Sequence, residues 1–148
     1  MKVFYFRLQT KLDICQRQEQ MAREEMQKKI AARNQILQEL EVLKTRFQAV
    51  HKSITELEVI PGQFPRMLME RQYISVLKQH IDVAEQNLAK AHKEVEEVRM
   101  VVLERIRETK TLEKLKEKAW RRYLQELLLE EQKHLDEVAS SASHRRSF

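Results

Sequence analysis

Apolar residues recur along most of this chain at alternating steps of four and three positions. Of the fifteen positions met in this way from Leu8 onward, twelve are apolar, and only Glu19, Lys29 and Arg33 are charged. Residues spaced 3.5 positions apart stay on one face of a supercoiled helix, so this first seam predicts a long coiled-coil helix. Its positions are Leu8, Leu12, Cys15, Glu19, Ala22, Met26, Lys29, Arg33, Ile36, Leu40, Leu43, Phe47, Val50, Ile54 and Leu57.

A second seam of the same spacing runs over residues 74–102 without a polar exception. Beyond Val102 the apolar pattern changes phase, which predicts a stammer-like defect that alters the supercoil locally. The second seam consists of Ile74, Leu77, Ile81, Ala84, Leu88, Ala91, Val95, Val98 and Val102, and the apolar stripe continues through Ile106, Leu112, Leu124, Leu128, Leu135 and Val138.

The two seams are separated by Ile60-Pro61-Gly62-Gln63-Phe64-Pro65, which contains the one glycine and both prolines of the chain. Pro61 presets a turn, Gly62 can adopt a positive φ, and Pro65 suits the first turn of a new helix. The pattern therefore predicts an all-α fold, a long two-helix antiparallel coiled-coil hairpin. Its segments are a first helix over residues 4–59, a turn over 60–65 and a second helix over 66–139.

A turn centred near Gly62 would make the numbers of facing residues sum to about 125. Glu19 then faces Arg105 and Lys29 faces Glu96, so both of these charged residues meet the opposite sign, and Arg33 would lie near His92 and Glu94. Residues from about 124 onward would have no mate, because their mates would precede Met1. This overhang, residues 124–139, carries an apolar stripe that calls for an external partner. Residues 140–148 are Ser-rich and basic, which predicts a disordered tail.

Composition restricts the function classes. The formal charge is +5, from 28 basic and 23 acidic residues whose signs alternate along the chain. A nucleic-acid binder would concentrate Lys and Arg in one patch, so no nucleic-acid partner is expected. Residues 1–13 are interrupted by charges and do not form a signal peptide, and no apolar run approaches the ~20 residues that cross a bilayer. These features predict a cytoplasmic protein without direct membrane insertion.

The residues that could act in catalysis or bind a metal have simpler structural explanations. Cys15, the single cysteine, lies on the first seam and is interpreted as a small core residue. The segment 131–134 matches the Glu-x-x-His element of di-iron bundles, but such sites need two of these elements and further glutamates. A phosphate-binding loop is impossible with one glycine. We therefore predict no enzyme, no cofactor and no metal, with a di-metal helical enzyme as the alternative that metal analysis would test.

The aromatic residues at the start of the chain allow two interpretations. In the predicted register Phe4, Tyr5 and Phe6 lie beside Ala119 and Trp120, at the open end of the hairpin. They either staple the chain ends together or form a docking surface, since aromatic side chains are favoured anchors in interfaces.

Three segments carry a family resemblance. The start of the chain, residues 4–13, resembles the flagellar export protein FliJ family, with an aromatic pair followed by Leu-Gln and then Leu-Asp. Residues 112–115 and 131–137 are similar to the carboxy-terminal half of that family. The resemblance implies a coiled coil like the rotor stalk of the F1 ATP synthase. It also implies a role as stalk and adaptor in the flagellar type III export apparatus, at the inner membrane.

The resemblance further implies three partners: the hexameric export ATPase, the cytoplasmic domain of the membrane export gate, and export chaperones. Near the start of the second helix, Tyr73 and Leu77 resemble a gate-docking pair, while His80 and Ala84 depart from the residues expected next. The alternatives are the equivalent stalk of a virulence secretion system and a purely structural, self-associating coiled coil. A stalk should be monomeric when free. The implied ATPase-binding residues are Phe4, Phe6, Leu8, Gln9, Leu12, Leu124, Leu128 and Leu135, and the implied gate-binding residues are Tyr73, Leu77 and His80.

Overall fold

The computed structural model describes residues 3–146, and within them the protein is an antiparallel hairpin of two helices without a strand. Helix α1 spans Gln9–Leu57 and helix α2 spans Phe64–Arg146. This confirms the predicted all-α hairpin. Contacts divide the chain into a turn unit, Met21–Leu103, and a terminal unit, Met1–Gln20 with Glu104–Phe148. Each unit is described by itself.

The turn unit is held together by the two seams. From Ala22 to Leu57 on α1, and from Ile74 to Val102 on α2, every seam position is buried or half-buried. Burying an aliphatic side chain of this size contributes about 1.5–3 kcal/mol, so the repeated seam supplies most of the stability of this unit. Its most buried side chains are Leu40, Ile54, Leu57, Leu77, Val95 and Val102.

The turn between α1 and α2 follows from the conformational preferences of its glycine and prolines. The N–H of Ile60 donates to the carbonyl of Leu57 at 3.2 Å as α1 ends. Gly62 has a φ of 83°, in the left-handed region that glycine enters without a Cβ clash. Pro65 lies in the first turn of α2, where its missing N–H leaves no hydrogen bond unmade.

Ion pairs between the helices of the turn unit show the register. Lys29 Nζ lies 2.9 Å from Glu94 Oε2, two positions from the predicted partner Glu96. Lys44 Nζ lies 3.3 Å from Glu85 Oε1, and the Arg71 guanidinium lies 2.7 Å from Glu58 Oε1. These pairs fall close to the predicted register. All are exposed, so each adds only about 0–1 kcal/mol of stability, and the apolar seam sets the alignment.

In the terminal unit, Ile106 and Leu112, which were predicted to continue the apolar stripe, are half-buried and buried. Further buried and half-buried positions of α2 recur beside them at steps of three and four, and several of these are polar. A search for apolar residues alone therefore misses them, because long basic side chains bury their stems along a seam while their charge stays in water. Together with Leu112, these positions are Arg105, Thr109, Lys116, Ala119 and Tyr123.

The two ends of the hairpin also differ from prediction. The first helix was expected from residue 4, whereas α1 begins at Gln9 and is preceded by a turn and a non-helical segment. The tail was expected to be disordered from Ser140, whereas α2 continues to Arg146. Residues 140–146 contain no Pro or Gly, and Ser and Ala can extend a helix that has already formed. Residues 147–148 of the predicted tail lie outside the described residues.

Candidate functional site

Three aromatic rings form a cluster in the terminal unit. The centroid of Phe4 lies 4.9 Å from that of Trp120 in an edge-to-face arrangement and 5.5 Å from that of Tyr123. Trp120 and Tyr123 stack at 5.4 Å. Edge-to-face and stacked aromatic pairs add about 0.5–1.5 kcal/mol beyond the area that they bury. The cluster therefore staples the start of the chain to α2.

The backbone before α1 explains how the cluster forms. Phe4 is half-buried, Tyr5 is 82% exposed and Phe6 is buried, an alternation with a period of two. Side chains two positions apart share a side in extended backbone, whereas on a helix they would diverge by about 200°. The non-helical start therefore directs Phe4 and Phe6 inward together and leaves Tyr5 in water.

Beneath the cluster lies the most buried group of the terminal unit, formed by Leu12, Cys15 and Leu112. Cys15 is buried and has a free thiol, as expected of a core residue. Arg105 reaches between the helices, and its Nη1 donates to Gln18 Oε1 at 3.2 Å and to Glu108 Oε2 at 3.0 Å. A small apolar core and one interhelical hydrogen bond from Arg105 to Gln18 thus join the two helices of the terminal unit.

The overhang differs from the rest of the terminal unit in its exposure to solvent. Leu127 is half-buried, but every side chain described over residues 128–142 is exposed. Leu128 and Leu135 are 63% and 67% exposed, and Val138 is 53% exposed. Leucine is normally among the more buried residues, so a helix that repeats exposed leucines on one stripe presents an interaction surface.

The predicted ATPase-binding residues therefore separate into two groups. Phe6 and Leu12 are buried, so while the hairpin is packed they support the end of the molecule and cannot contact a partner themselves. The Gln9 side chain donates to Asp13 Oδ1 at 2.8 Å in the first turn of α1. The accessible members are Phe4 and Gln9, which are half-buried, and Leu8, Leu124, Leu128 and Leu135, which are exposed.

The predicted gate-binding residues separate in the same way. Tyr73 is 45% exposed and His80 is exposed, but Leu77 is only 2% exposed because it lies on the second seam. Sequence reasoning missed the companions of Tyr73 on this flank of α2. They recur at heptad spacing, and two of them directly precede the seam residues Leu77 and Ala84, a signal that was present in the sequence. The exposed apolar companions are Met69, Val76 and Val83.

One interhelical ion pair perturbs the pKa of a lysine. The hydrogen bond from Lys29 to Glu94, and the charge of that carboxylate, raise the pKa of Lys29 above its ordinary value of 10.5. This lysine is already charged at neutral pH, so the shift strengthens an ion pair and prepares no acid–base chemistry. Among the described residues, no three His, Cys, Asp or Glu side chains converge as a metal site requires. Over residues 3–146, neither helix has a stretch apolar enough to span a lipid bilayer.

These features define a class, the coiled-coil proteins. The profile of the flagellar FliJ protein family matches residues 4–147, so the chain belongs to that family. The family is a non-catalytic component of flagellar export, which makes this a protein related to flagellar export. Among curated proteins and solved structures, no match was found.

Proposed function

We propose that this protein is a stalk and adaptor of the bacterial flagellar type III export apparatus. In this role it catalyses nothing itself and needs no cofactor. Its open end binds the hexameric export ATPase, while other surfaces reach the cytoplasmic domain of the export gate and the export chaperones. The protein is then cytoplasmic and associates with the inner membrane only through these partners.

The observation that supports ATPase binding is the exposed helix of residues 128–142 in a member of the FliJ family. Leu128 and Leu135 lie on the stripe that continues from Leu124. Burying an exposed leucine gains about 1.5–3 kcal/mol, so a stripe of this kind can anchor a protein complex. The aromatic cluster next to it fixes the base of this helix.

Gate binding is proposed for the flank of α2 that carries Tyr73 and His80. Both side chains are accessible, and Met69, Val76 and Val83 extend the surface with apolar area. Leu77 lies beneath and holds this face of α2 in place. An aromatic residue among exposed aliphatic neighbours is a favourable anchor for a partner.

The experiment is the ATPase rate of the cognate flagellar export ATPase, with and without this protein. The intact chain should stimulate the rate and promote ring assembly, and a version truncated after Tyr123 should do neither. A double variant, Leu128→Ala with Leu135→Ala, should also lose the effect. Both leucines are exposed and alanine favours helix, so the variant should fold. Met21→Ala with Met100→Ala is the matched control, because both residues are exposed in the turn unit.

Three outcomes would redirect the proposal. No stimulation by the intact chain would contradict the stalk function and favour a structural coiled coil. Stimulation that survives loss of Leu128 and Leu135 would move the ATPase contact away from the overhang. Stimulation of a virulence-system ATPase in preference to the flagellar one would assign the protein to that branch. Light scattering on the free protein complements the assay, because a stalk should be monomeric and a structural coiled coil should not.

A further inference from the structure

Charge along α2 changes sign where the overhang begins. Residues 124–139 contain five acidic side chains and one lysine, a formal charge of −4 in a chain whose total is +5. Residues 110–122, here called the collar, contain six basic and two acidic side chains, a formal charge of +4. Both segments are helical and belong to the terminal unit. The helix that was identified as an apolar stripe is therefore also a strongly acidic element.

Three of the five acidic side chains of the overhang lie on the face opposite its leucine stripe, whereas Glu131 lies on the stripe and Lys133 lies beside the three glutamates. At about 100° per residue, Leu124, Leu128 and Leu135 fall within about 40° of one another. Three glutamates point to the opposite face of the helix, within a similarly narrow arc, and their positions are exposed: Glu126, Glu130 and Glu137. The overhang thus presents a leucine face and a glutamate face.

The acidic segment acts separately from the collar. The centres of the two segments are about 15 residues apart, which corresponds to about 23 Å along a helix. The Debye length at physiological ionic strength is about 8 Å, so a surface in contact with the overhang beyond its first turn experiences mainly the negative charge of the overhang. The acidic overhang therefore favours a basic partner surface, and the basic collar favours an acidic one.

Two copies of this chain that pair overhang to overhang fit poorly. Two overhangs packed side by side would bury their leucines, but they would also bring a charge of −4 against another of −4. Like charges placed across an interface oppose association. A partner with basic side chains gains the same apolar contact together with electrostatic attraction.

We propose that the overhang docks into a site on another protein that pairs an apolar strip with basic side chains, so that the leucine face and the glutamate face are both contacted. This inference rests on the proposed function, under which the site belongs to the export ATPase. The binding energy comes mainly from the leucines, while the glutamates set the orientation and speed the encounter.

The test measures affinity for the purified cognate export ATPase at low and at high salt. The variant Glu126→Gln with Glu130→Gln and Glu137→Gln removes three charges and keeps side-chain size and helix propensity. It should bind about tenfold more weakly at low salt and show a shallower salt dependence than the wild type. Its matched control is Glu39→Gln with Glu41→Gln and Glu56→Gln, which removes three exposed glutamates from α1 in the turn unit and should bind as the wild type does.

The other outcomes separate this inference from the proposed function. If the glutamine variant binds normally while Leu128→Ala with Leu135→Ala does not, the ATPase function stands and the basic site is wrong. If the wild type does not bind the ATPase at all, both are wrong. If sedimentation shows self-association through the overhang at either salt concentration, the occupant is a second copy and the inference is overturned.

Discussion

The second seam of the turn unit and its continuation in the terminal unit lie on the same helix but are built differently. Over residues 74–102 every seam position is aliphatic, with the small residue Ala at two of them. From Arg105 to Tyr123 the buried and half-buried positions include the polar residues Arg105, Thr109 and Lys116, and their large aliphatic residues are Ile106 and Leu112. Stability in the turn unit is thus spread evenly along the helices. In the terminal unit it is concentrated in one small core and one aromatic cluster.

This difference shows that a coiled-coil seam need not be apolar to be continuous. The spacing of buried positions is kept, because the partner helix still covers the same face of α2. The lost apolar area is offset by Phe4, Phe6 and the rings of Trp120 and Tyr123. An end built in this way depends strongly on a few side chains.

The largest expected effect is at the most buried leucines. Leu12 in the terminal unit and Leu77 in the turn unit are each 2% exposed, so Leu12→Ala and Leu77→Ala should each reduce the free energy of unfolding by about 3 kcal/mol. Leu12 packs with Leu112, so a double variant of these two should be non-additive, whereas Leu12→Ala with Leu77→Ala should be additive. Urea unfolding followed by circular dichroism measures all of these values. Additivity of the Leu12 and Leu112 variants would contradict a single concentrated core.

The next effect concerns the aromatic cluster. Phe4→Ala removes two ring contacts and should reduce the free energy of unfolding by about 2 kcal/mol. Trp120 is the single tryptophan, so its fluorescence should also shift to longer wavelength as it becomes more hydrated. Tyr5→Ala is the control and should change neither quantity, because Tyr5 is 82% exposed. An unchanged emission spectrum in Phe4→Ala would show that the cluster does not hold in solution.

A smaller change in stability is expected at the polar positions of the α2 seam. Thr109 is 4% exposed, and its hydroxyl donates only to the carbonyl of Arg105 at 3.0 Å, which is already a helix acceptor. Thr109→Val should therefore stabilise the protein by about 0.5 kcal/mol, by replacing a buried hydroxyl with a methyl group. Thr111 makes the same kind of bond to Arg107 in an exposed position, so Thr111→Val should be neutral. Thermal unfolding of both variants measures the difference, and a destabilised Thr109→Val would assign the hydroxyl a structural role.

The smallest effect is electrostatic and lies in the turn unit. Because Glu94 raises the pKa of Lys29, their pair stabilises the folded state below pH 10.5, and this contribution is lost as the pH rises through the raised value. The melting temperature of the wild type should exceed that of Glu94→Gln at pH 9, and the gap should close at higher pH. A gap that persists at pH 12 would exclude the ion pair as its cause.

Much of the fold follows from the sequence because apolar spacing and one turn determine it. The seam residues from Leu12 to Leu57 on α1 and from Ile74 to Val102 on α2 were identified by spacing alone, and all are buried or half-buried. Lys29 was predicted to face Glu96 and pairs with Glu94, since rotamers of long side chains can reach one helical turn either way.

The remainder depends on contacts that spacing does not encode. Seam positions filled by Arg105 and Lys116 cannot be distinguished by hydrophobicity from solvated charge. The extended start could have been inferred from the alternation of Phe4, Tyr5 and Phe6, but only tertiary packing decides between that and a longer helix. In the candidate site, the sequence predicts which residues lie on a stripe, while the structure shows that Leu77 and Leu12 are covered.

The single turn at Gly62 has a consequence for how the chain folds. Contacts between the helices connect residues at ever larger sequence separations away from the turn, from 13 between Glu58 and Arg71 to 65 between Lys29 and Glu94 and 87 between Gln18 and Arg105. Loop-closure entropy favours the shortest loops, and each later pair then closes onto helices that are already aligned. Interhelical contacts should therefore form first near Gly62 and then progressively farther from it, so that the aromatic cluster forms last and opens first.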